Sequence, residues 1–264
     1  MSDNSQRGDF LQALSKAGVL VFLVAIALIV RSCSFFEAKP TISNTSEIVE
    51  NTEEFIGNSV TIQSRVIRKI GSSSFTVSDA RFFRGEPIVV VNASGVPFNL
   101  PFDQNVKVQV TGKVRNLVIS EIEQEFNLNL NDEYYKDYIN QPAIVARYII
   151  LAPQPSQITQ RPEQYYRRQV AVTGEVKNIH SPVLLTLDEN QLFGGQDLLV
   201  LLKAPPKVAI NQNQTVSITG EVRPFASAEI EKDYNFTWDL NVKRELEAEY
   251  GNRPILVAET VYPS

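Results

Sequence analysis

The side chains best suited to catalysis or metal binding are few in this 264-residue chain. His180 is the only histidine, and Cys33 is the only cysteine. A histidine-based metal site or a Ser-His-Asp relay needs partners around such a residue. With one histidine, and with the cysteine inside the predicted membrane segment, those partners are missing. We therefore expect no catalytic residue, no metal site and no cofactor, and the chain is predicted not to be an enzyme.

Carboxylates form two clusters in which every second residue is acidic. The clusters are Glu121, Glu123 and Glu125, and Glu229, Glu231 and Asp233. If these segments are strands, the acids of each cluster project from one side. A divalent-cation site or an acid pair for glycoside hydrolysis is one hypothesis. Solvated carboxylates that discourage strand-to-strand aggregation are the favoured alternative, because the cluster occurs twice in a repeated sequence.

Basic side chains gather around aromatic ones in one stretch of the chain. The candidate binding residues are Arg65, Arg68, Lys69, Arg81 and Arg84, which lie close to Phe75, Phe82 and Phe83. Such a mixture can neutralise a nucleic-acid backbone and stack its bases. The corresponding residues of the repeat are not basic, being Glu175, Asn178, Ile179, Gln191 and Gly194. A solvated strand edge is the alternative interpretation. A semi-exposed aromatic patch is also predicted, from Tyr134, Tyr135 and Tyr138.

The elements that position these residues occur twice, about 110 residues apart. Segments with the sequence Val-x-Val/Ile-x-Gly/Ser-x-Val lie at 60–66, 108–114, 170–176 and 216–222. Their apolar residues alternate and are β-branched, which predicts half-buried strands. Gly112, Gly174 and Gly220 lie inside these strands, where a glycine marks a bulge, a sharp bend or a close approach of two backbones. Ser64 takes the matching place in the remaining segment.

Each half therefore reads as four strands, a polar stretch with a short helix, and a last strand. The helices are predicted near 132–139 and 242–250, and the last strands near 144–150 and 255–261. This order resembles the bacterial OB-fold, a five-stranded Greek-key barrel that binds oligonucleotides or oligosaccharides. The helix between the fourth and fifth strands departs from the common OB order, and an SH3-like barrel or a sandwich is the alternative. Paired Tyr-x-Asn-x-Pro endings at 138–142 and 250–254 also resemble uncharacterised cyanobacterial membrane proteins.

An apolar segment precedes the repeats. Residues 17–30 contain no charged side chain and are bounded by Lys16 and Arg31. This run is shorter than the roughly 20 residues that a membrane-spanning helix needs, but residues 10–36 supply the length. We predict an uncleaved signal anchor. Lipoprotein processing at Cys33 and an ordinary signal cleavage near Ser32 are the alternatives.

The predicted order of segments follows from the repeat and the anchor. It is a tail and membrane anchor at 1–36, a tether at 37–54, an OB-like barrel at 55–152, a linker at 153–168 and a second OB-like barrel at 169–264. The fold class is thus mainly β, with two tandem five-stranded barrels behind one transmembrane helix.

Charge narrows the functional class. The formal net charge is −5, which argues against a general nucleic-acid binder, because such proteins neutralise phosphates with an excess of Lys and Arg. We expect a noncatalytic single-pass membrane protein whose barrels act as a protein-binding scaffold or assembly module, on the periplasmic or lumenal side. Binding of a single-stranded nucleic acid or an oligosaccharide through the basic residues of the first barrel is the alternative.

Overall fold

The computed structural model describes residues 41–79, 86–99, 107–188, 196–234 and 237–263, which belong to one compact unit. The predicted membrane anchor at 10–36 lies outside the described residues, as do Arg81 and Arg84. Within the described part, none of the helices has both the length and the apolar character that crossing a membrane requires.

The first half of this unit, residues 41–152, is built mainly from strands. They are β1 (Thr41–Ile42), β2 (Ser59–Ile70), β3 (Ser74–Ser78), β4 (Ile88–Asn92), β5 (Lys107–Asn116) and β6 (Pro142–Ala152). β2 and β5 bury every second residue, as the alternating sequence predicts. Val60 and Ile62 of β2 and Val108 and Val110 of β5 are fully buried.

Five of these strands close into a barrel. β2 pairs antiparallel with β3 and with β5, β3 pairs antiparallel with β4, and β5 pairs antiparallel with β6. The parallel pairing of β4 with β6 completes the ring. β2 can serve two neighbours because it is long and carries a bulge at Ile67, where its register to β3 shifts. The prediction of a mainly β chain with a small five-stranded barrel is confirmed.

The second half, residues 153–263, repeats these pairings. Its strands are β7 (Gln169–Ser181), β8 (Leu184–Asp188), β9 (Leu198–Leu202), β10 (Thr215–Pro224) and β11 (Pro254–Pro263). β7 pairs antiparallel with β8 and β10, β8 pairs antiparallel with β9, and β10 pairs antiparallel with β11. β9 pairs in parallel with β11, as β4 does with β6.

Two of the predicted special glycines sit where strands come unusually close. The register shifts between Thr111 and Gly112, opposite one extra residue of β6, and the same shift occurs at Gly220 opposite β11. A Cβ on Gly112 would lie 2.7 Å from the Cα of Ala146, and one on Gly220 would lie 2.9 Å from the Cα of Ala258. The predicted bulge and close approach are both confirmed at these two positions.

The helices of the structure lie partly elsewhere than predicted. They are α1 (Thr45–Glu50), α2 (Thr52–Phe55), α3 (Ile119–Phe126), α4 (Pro155–Gln160), α5 (Ser227–Tyr234) and α6 (Leu240–Tyr250). Short 3-10 turns follow at Asp132–Tyr134, Lys136–Tyr138 and Pro162–Gln164. The helix predicted at 242–250 is confirmed, whereas the one predicted at 132–139 is a pair of 3-10 turns.

Both acidic clusters are helical, so the condition under which their acids would project from one side of a strand is not met. In a helix, residues four apart share a face. Glu121 and Glu125 of α3 therefore point together toward Arg115, while Ile119 and Ile122 are buried on the other face. Acids at every second position do not by themselves indicate a strand. A short helix can carry them too, when its buried face is formed by residues three apart such as Ile119 and Ile122.

Residues 117–141, between β5 and β6, form a layer over the outside of the barrel that we call the cap. Apolar cap residues cover the outer side chains of β4 and β6 and the end of β2. The residues of this cluster are Ile70, Val89, Val91, Leu117, Ile119, Ile122, Leu130, Tyr135, Ala143 and Val145. β4 is consequently buried on both faces, since Ile88 and Val90 belong to the barrel interior.

The predicted tether and linker both contain ordered elements related by the repeat. β1 and α1 fall within the tether at 37–54, and α4 falls within the linker at 153–168. β1 pairs in parallel with the start of β2 through Thr41 and Val60. The end of β6 pairs with β7 in the same way through Leu151 and Val170, 110 residues later. Within the described residues, the structural repeat therefore includes residues 41–54 and 151–164.

The two halves contact each other through the outer faces of their long strands. The Thr173 hydroxyl of β7 donates to Oε1 of Gln63 on β2 at 3.1 Å, and the Gln63 amide donates to Gln109 of β5 at 2.9 Å. An apolar contact among Ile150, Ala152 and Ala171 lies beside this polar one. Polar residues on these outer faces are thus explained in part by the contact between halves.

Candidate functional site

The predicted basic strip is only partly assembled on one surface. Arg65, Arg68 and Lys69 are all exposed on β2. Facing residues of antiparallel strands lie on the same side of a sheet. Lys69 faces Phe75, which belongs to the barrel interior, so Lys69 lies on that side at the exposed end of the strand. Arg68 faces Thr76 on the outer side. Arg81 and Arg84 lie outside the described residues.

Arg68 joins the strand to the cap. Its Nη2 donates a hydrogen bond of 2.8 Å to the hydroxyl of Tyr138, in the second 3-10 turn. Ile67, in the bulge of β2, is 55% exposed, and Ile139 of the cap is 43% exposed. We call the residues Arg65, Ile67, Arg68, Tyr138 and Ile139 the hairpin–cap surface. It combines exposed aliphatic side chains with arginines and a tyrosine.

The positive charge of this surface extends onto β5. Lys107 faces Arg65 directly across the β2–β5 pair. In the part of the chain that the structure describes, no hydrogen bond or ion pair engages the side chain of either residue. Two like charges that face each other across a pair destabilise it slightly. Within the described residues, Arg65 and Lys107 therefore form a small patch of positive charge.

The corresponding surface of the second half is acidic. Glu175 replaces Arg65 and faces Asp188 of β8, while Lys177 is engaged with Asp197 at 2.9 Å. The net charges of the two halves differ in the same direction. Residues 55–152 carry ten Lys and Arg against nine Asp and Glu, a net +1, whereas residues 169–264 carry eight against thirteen, a net −5. The basic surface is therefore a property of the first half alone.

The cap covers the strand face on which an OB-like ligand was expected. Val89 and Val91 of β4 are at most 2% exposed beneath the cap. Ser74 of β3 is buried and accepts a hydrogen bond of 2.8 Å from the Tyr135 hydroxyl. Burial raises the pKa of Tyr135 above its ordinary value, and the nearby carboxylate of Glu123 raises it further. The phenol therefore stays neutral and holds the cap against β3.

A groove of about 300 Å³ lies between the tip of the β2–β3 hairpin and the cap. Its lining residues are Gly71, Ser72, Asn129, Leu130, Asn131, Tyr134 and Tyr135. Gly71 has a φ of 57°, and a Cβ there would lie 3.3 Å from Cδ2 of Tyr134. The glycine thus permits both the turn and the approach of the tyrosine ring. The predicted aromatic patch is divided, because Tyr135 is 1% exposed and Tyr134 is 55% exposed.

Both acidic clusters join a helix, α3 or α5, to a neighbouring strand. Arg115 of β5 pairs with Glu121 and Glu125, and Arg223 of β10 pairs in the same way with Glu229 and Asp233. The remaining acid of each cluster accepts a backbone N–H seven residues later. Glu123 accepts from Leu130 at 2.6 Å, and Glu231 accepts from Trp238 at 3.0 Å.

Glu231 has a further partner that its counterpart lacks. Nζ of Lys243, on α6, donates to Glu231 at 2.7 Å. This hydrogen bond, with that from the Trp238 backbone, holds the pKa of Glu231 below its ordinary value. Among the described residues, no three His, Cys, Asp or Glu side chains come together as a metal ion would require. His180 is exposed near the end of β7.

One polar cluster, around Asp79, was not predicted from the sequence. Asp79, just after β3, accepts hydrogen bonds from the backbone and the hydroxyl of Thr45 at 2.8 and 3.0 Å, and from Ser64 at 2.7 Å. In the second half, Pro155 packs against Gly174 at the matching positions. The repeat contained a signal for this contact. Positions 45 and 64 hold Thr and Ser, and the equivalent positions 155 and 174, 110 residues later, hold Pro and Gly, so both members of the pair change together.

Comparison with known proteins adds no family to these observations. A scan against models of protein families finds no match, and a search of curated proteins finds no related sequence. The charge, burial and contacts of the first half therefore carry the functional conclusion.

Proposed function

We propose that this chain is a noncatalytic, single-pass membrane protein whose two OB-like barrels form a scaffold that binds another protein through the hairpin–cap surface. The recurrence of all five strand pairings in residues 169–263 supports a second OB-like barrel. The apolar run at 17–30, extended to 10–36, supports the anchor. An amino-terminal anchor ahead of folded β domains supports a periplasmic or lumenal location.

The observation that carries the proposal is the bond between Arg68 and Tyr138. It joins an arginine of β2 to a tyrosine of the cap, beside the exposed Ile67 and Ile139. Arginine and tyrosine are enriched among the residues that dominate protein–protein binding energy, and exposed aliphatic side chains supply the apolar area around them. Arg65 and Lys107 at the margin favour an acidic partner.

The hairpin–cap surface lies far along β2 from the pairing of this strand with β1. The chain enters the folded unit at β1, beside Val60 and Thr61 of β2. Arg68 lies seven to eight residues further along the same strand, or about 25 Å at the usual rise of a β-strand. The surface is thus at the end of β2 away from β1.

Protein binding is favoured over the alternative of a nucleic acid or oligosaccharide stretched across the barrel strands. Such ligands lie on the face of strands corresponding to β3 and β4 in OB-folds. Here Ser74, Val89 and Val91 on that face are buried beneath the cap. A strand-face ligand would have to displace the cap and its apolar contacts.

Affinity capture of the full chain from detergent-solubilised native membranes tests the proposal. A double charge reversal, Arg65→Glu with Arg68→Glu, should release the partner because it inverts the charge of the surface. Lys207→Glu, an exposed reversal in the second half, is the matched control and should retain it. A partner held equally by both variants would count against the proposal, as would no protein enriched over a tag-only control.

A further inference from the structure

The groove between the β2–β3 hairpin and the cap has a lining unlike that of the neighbouring basic surface. None of its lining residues carries a charge, and two of them are asparagines. We propose that this groove is a second binding site, separate from the hairpin–cap surface, and that it takes a neutral pyranose sugar. The site would give the protein a glycan ligand in addition to its protein partner.

The amide groups of the groove have hydrogen-bonding capacity to spare. Asn129 is exposed, and its side chain makes no hydrogen bond to another described residue. Asn131 uses its carbonyl oxygen to cap the first 3-10 turn at Glu133, at 3.0 Å, which leaves its NH₂ group for a ligand. A side-chain amide offers donors and an acceptor in one plane. Neighbouring hydroxyls of a sugar ring match that arrangement.

An exposed aromatic ring completes the wall. Tyr134 is 55% exposed, although its ring edge lies against Gly71 of the hairpin tip. The floor beneath it is fixed, because Tyr135 is buried and donates a hydrogen bond to Ser74. A ring held by its edge presents a face to a ligand, and the C–H groups of a pyranose pack on such faces. A prepositioned ring and floor reduce the ordering that binding requires.

The absence of charge from this lining selects against anionic ligands. Phosphates and nucleic acids are bound mainly through Lys, Arg and helix amino termini. The lining residues include no Lys and no Arg. Arg68 and Lys69 are nearby but do not line the groove. Arg68 is bonded to Tyr138, and Lys69 faces Phe75 across the β2–β3 pair.

The repeat provides a comparison within the chain. At the positions of Leu130 and Asn131 the second half has Trp238 and Asp239. Trp238 is 7% exposed and packs edge-on against Phe225 at 6.3 Å between ring centroids. Trp238 is larger than Leu130, and Asp239 carries a charge that Asn131 lacks. At these two described positions the second half therefore differs from the groove lining in size and in charge.

The size of the groove sets the expected affinity. A volume of about 300 Å³ lies at the lower end of the range for small-molecule sites, which suits one sugar ring. For a ligand with about a dozen non-hydrogen atoms at ordinary ligand efficiency, a Kd on the order of 1 mM is expected.

Saturation-transfer NMR on the full chain, in a zwitterionic detergent that contains no sugar, tests the site. The probes are the methyl glycosides of glucose, galactose, mannose and N-acetylglucosamine. At least one should give a saturable signal. Tyr134→Ala should weaken it about tenfold by removing the stacking face, and Leu130→Trp should abolish it by filling the groove. Asn129→Ala, an exposed change that leaves the fold intact, should weaken it severalfold.

Two controls show whether the signal arises in this groove and whether the ligand is neutral. Tyr148→Ala removes another exposed tyrosine, on β6, and should leave the signal unchanged. Inorganic phosphate should not compete with the sugar. The proposal is overturned if no glycoside gives a saturable signal, if the three groove variants bind as the unaltered chain does, or if phosphate displaces the sugar. Capture of the protein partner does not depend on these variants, so the two proposals can fail separately.

Discussion

Replacing Gly220 by Ala should destabilise the protein, because there is no room for a methyl group at the bulge where β10 pairs with β11. The new Cβ would lie 2.9 Å from the Cα of Ala258 and would also overlap the carbonyl of Val257. Carbon atoms in van der Waals contact are about 3.5 Å apart or more, and both overlapped groups belong to the backbone. β11 cannot give way without breaking its register to β10 and to β9.

The expected cost is about 3 kcal/mol, at the upper end for overpacking of a well-packed interior. For a unit of this size, that corresponds to a fall in the melting temperature of about 6 to 12 °C. Gly112→Ala should cost a similar amount, because its Cβ would lie 2.7 Å from the Cα of Ala146 at the equivalent crossing. Calorimetry and circular dichroism of the single variants would measure both.

Gly174→Ala is the matched control. Its nearest contacts would be 3.0 Å to the Asp188 carbonyl and 3.1 Å to Cγ of Pro155, which can shift. Ser64 at the equivalent position of the first half shows that a Cβ can be accommodated there. A smaller loss, about 1 kcal/mol, is expected. A Gly220→Ala protein that melts within about 2 °C of the unaltered chain would refute the reasoning.

Two further predictions concern polar contacts of the helices α5 and α1. The pKa of Glu231 is lowered by Lys243, so the stability it provides is complete above the ordinary glutamate pKa of about 4.3 and is lost as pH falls through the lowered value. Thermal melts between about pH 6 and pH 3 should therefore show a shallower acid loss in Glu231→Gln. Asp79→Asn should weaken the hydrogen bonds to Thr45 and Ser64 by about 1 to 3 kcal/mol. Hydrogen exchange of α1 should then accelerate.

Each of these has an internal reference. Glu229→Gln removes a mostly exposed carboxylate 4.0 Å from Arg223 and should leave the acid loss as it is in the unaltered chain. An equal change in both glutamine variants would contradict the role given to Lys243. For Asp79→Asn, exchange of α4 in the second half should not change, because Pro155 secures that helix by apolar contact. Unaltered exchange of α1 would show that Asp79 does not secure it.

The repeated strand pattern made the barrel predictable. Contacts between distant elements were not predictable from it. Alternating Val residues around Gly112 and Gly220 identified the strands and the close crossings, since both follow from local sterics. Period-two spacing of acids does not distinguish a strand from a short helix such as α3. What decides is the partner of the acids, which lies on β5. Arg115 is close to Glu125 only after folding.

The candidate surface was harder to predict for the same reason. Arg65 and Arg68 were identified from their contrast with Glu175 and Asn178. Lys69 was grouped with them, yet the bulge at Ile67 changes which side of the sheet it faces. The contribution of Tyr138 depends on the fold of the cap, and no spacing in the sequence indicates that this tyrosine meets Arg68.

Site-specific photo-crosslinking tests the central proposal most directly. A photoreactive phenylalanine analogue at Ile67 places the probe on the hairpin–cap surface, and one at Ile179, 45% exposed on the equivalent strand β7, is the reference. Irradiation of intact cells should give one discrete adduct from position 67 and none of that mass from 179. The adduct should disappear with Arg65→Glu and Arg68→Glu. No adduct at 67, or the same adduct at both positions, would contradict a partner site on this surface.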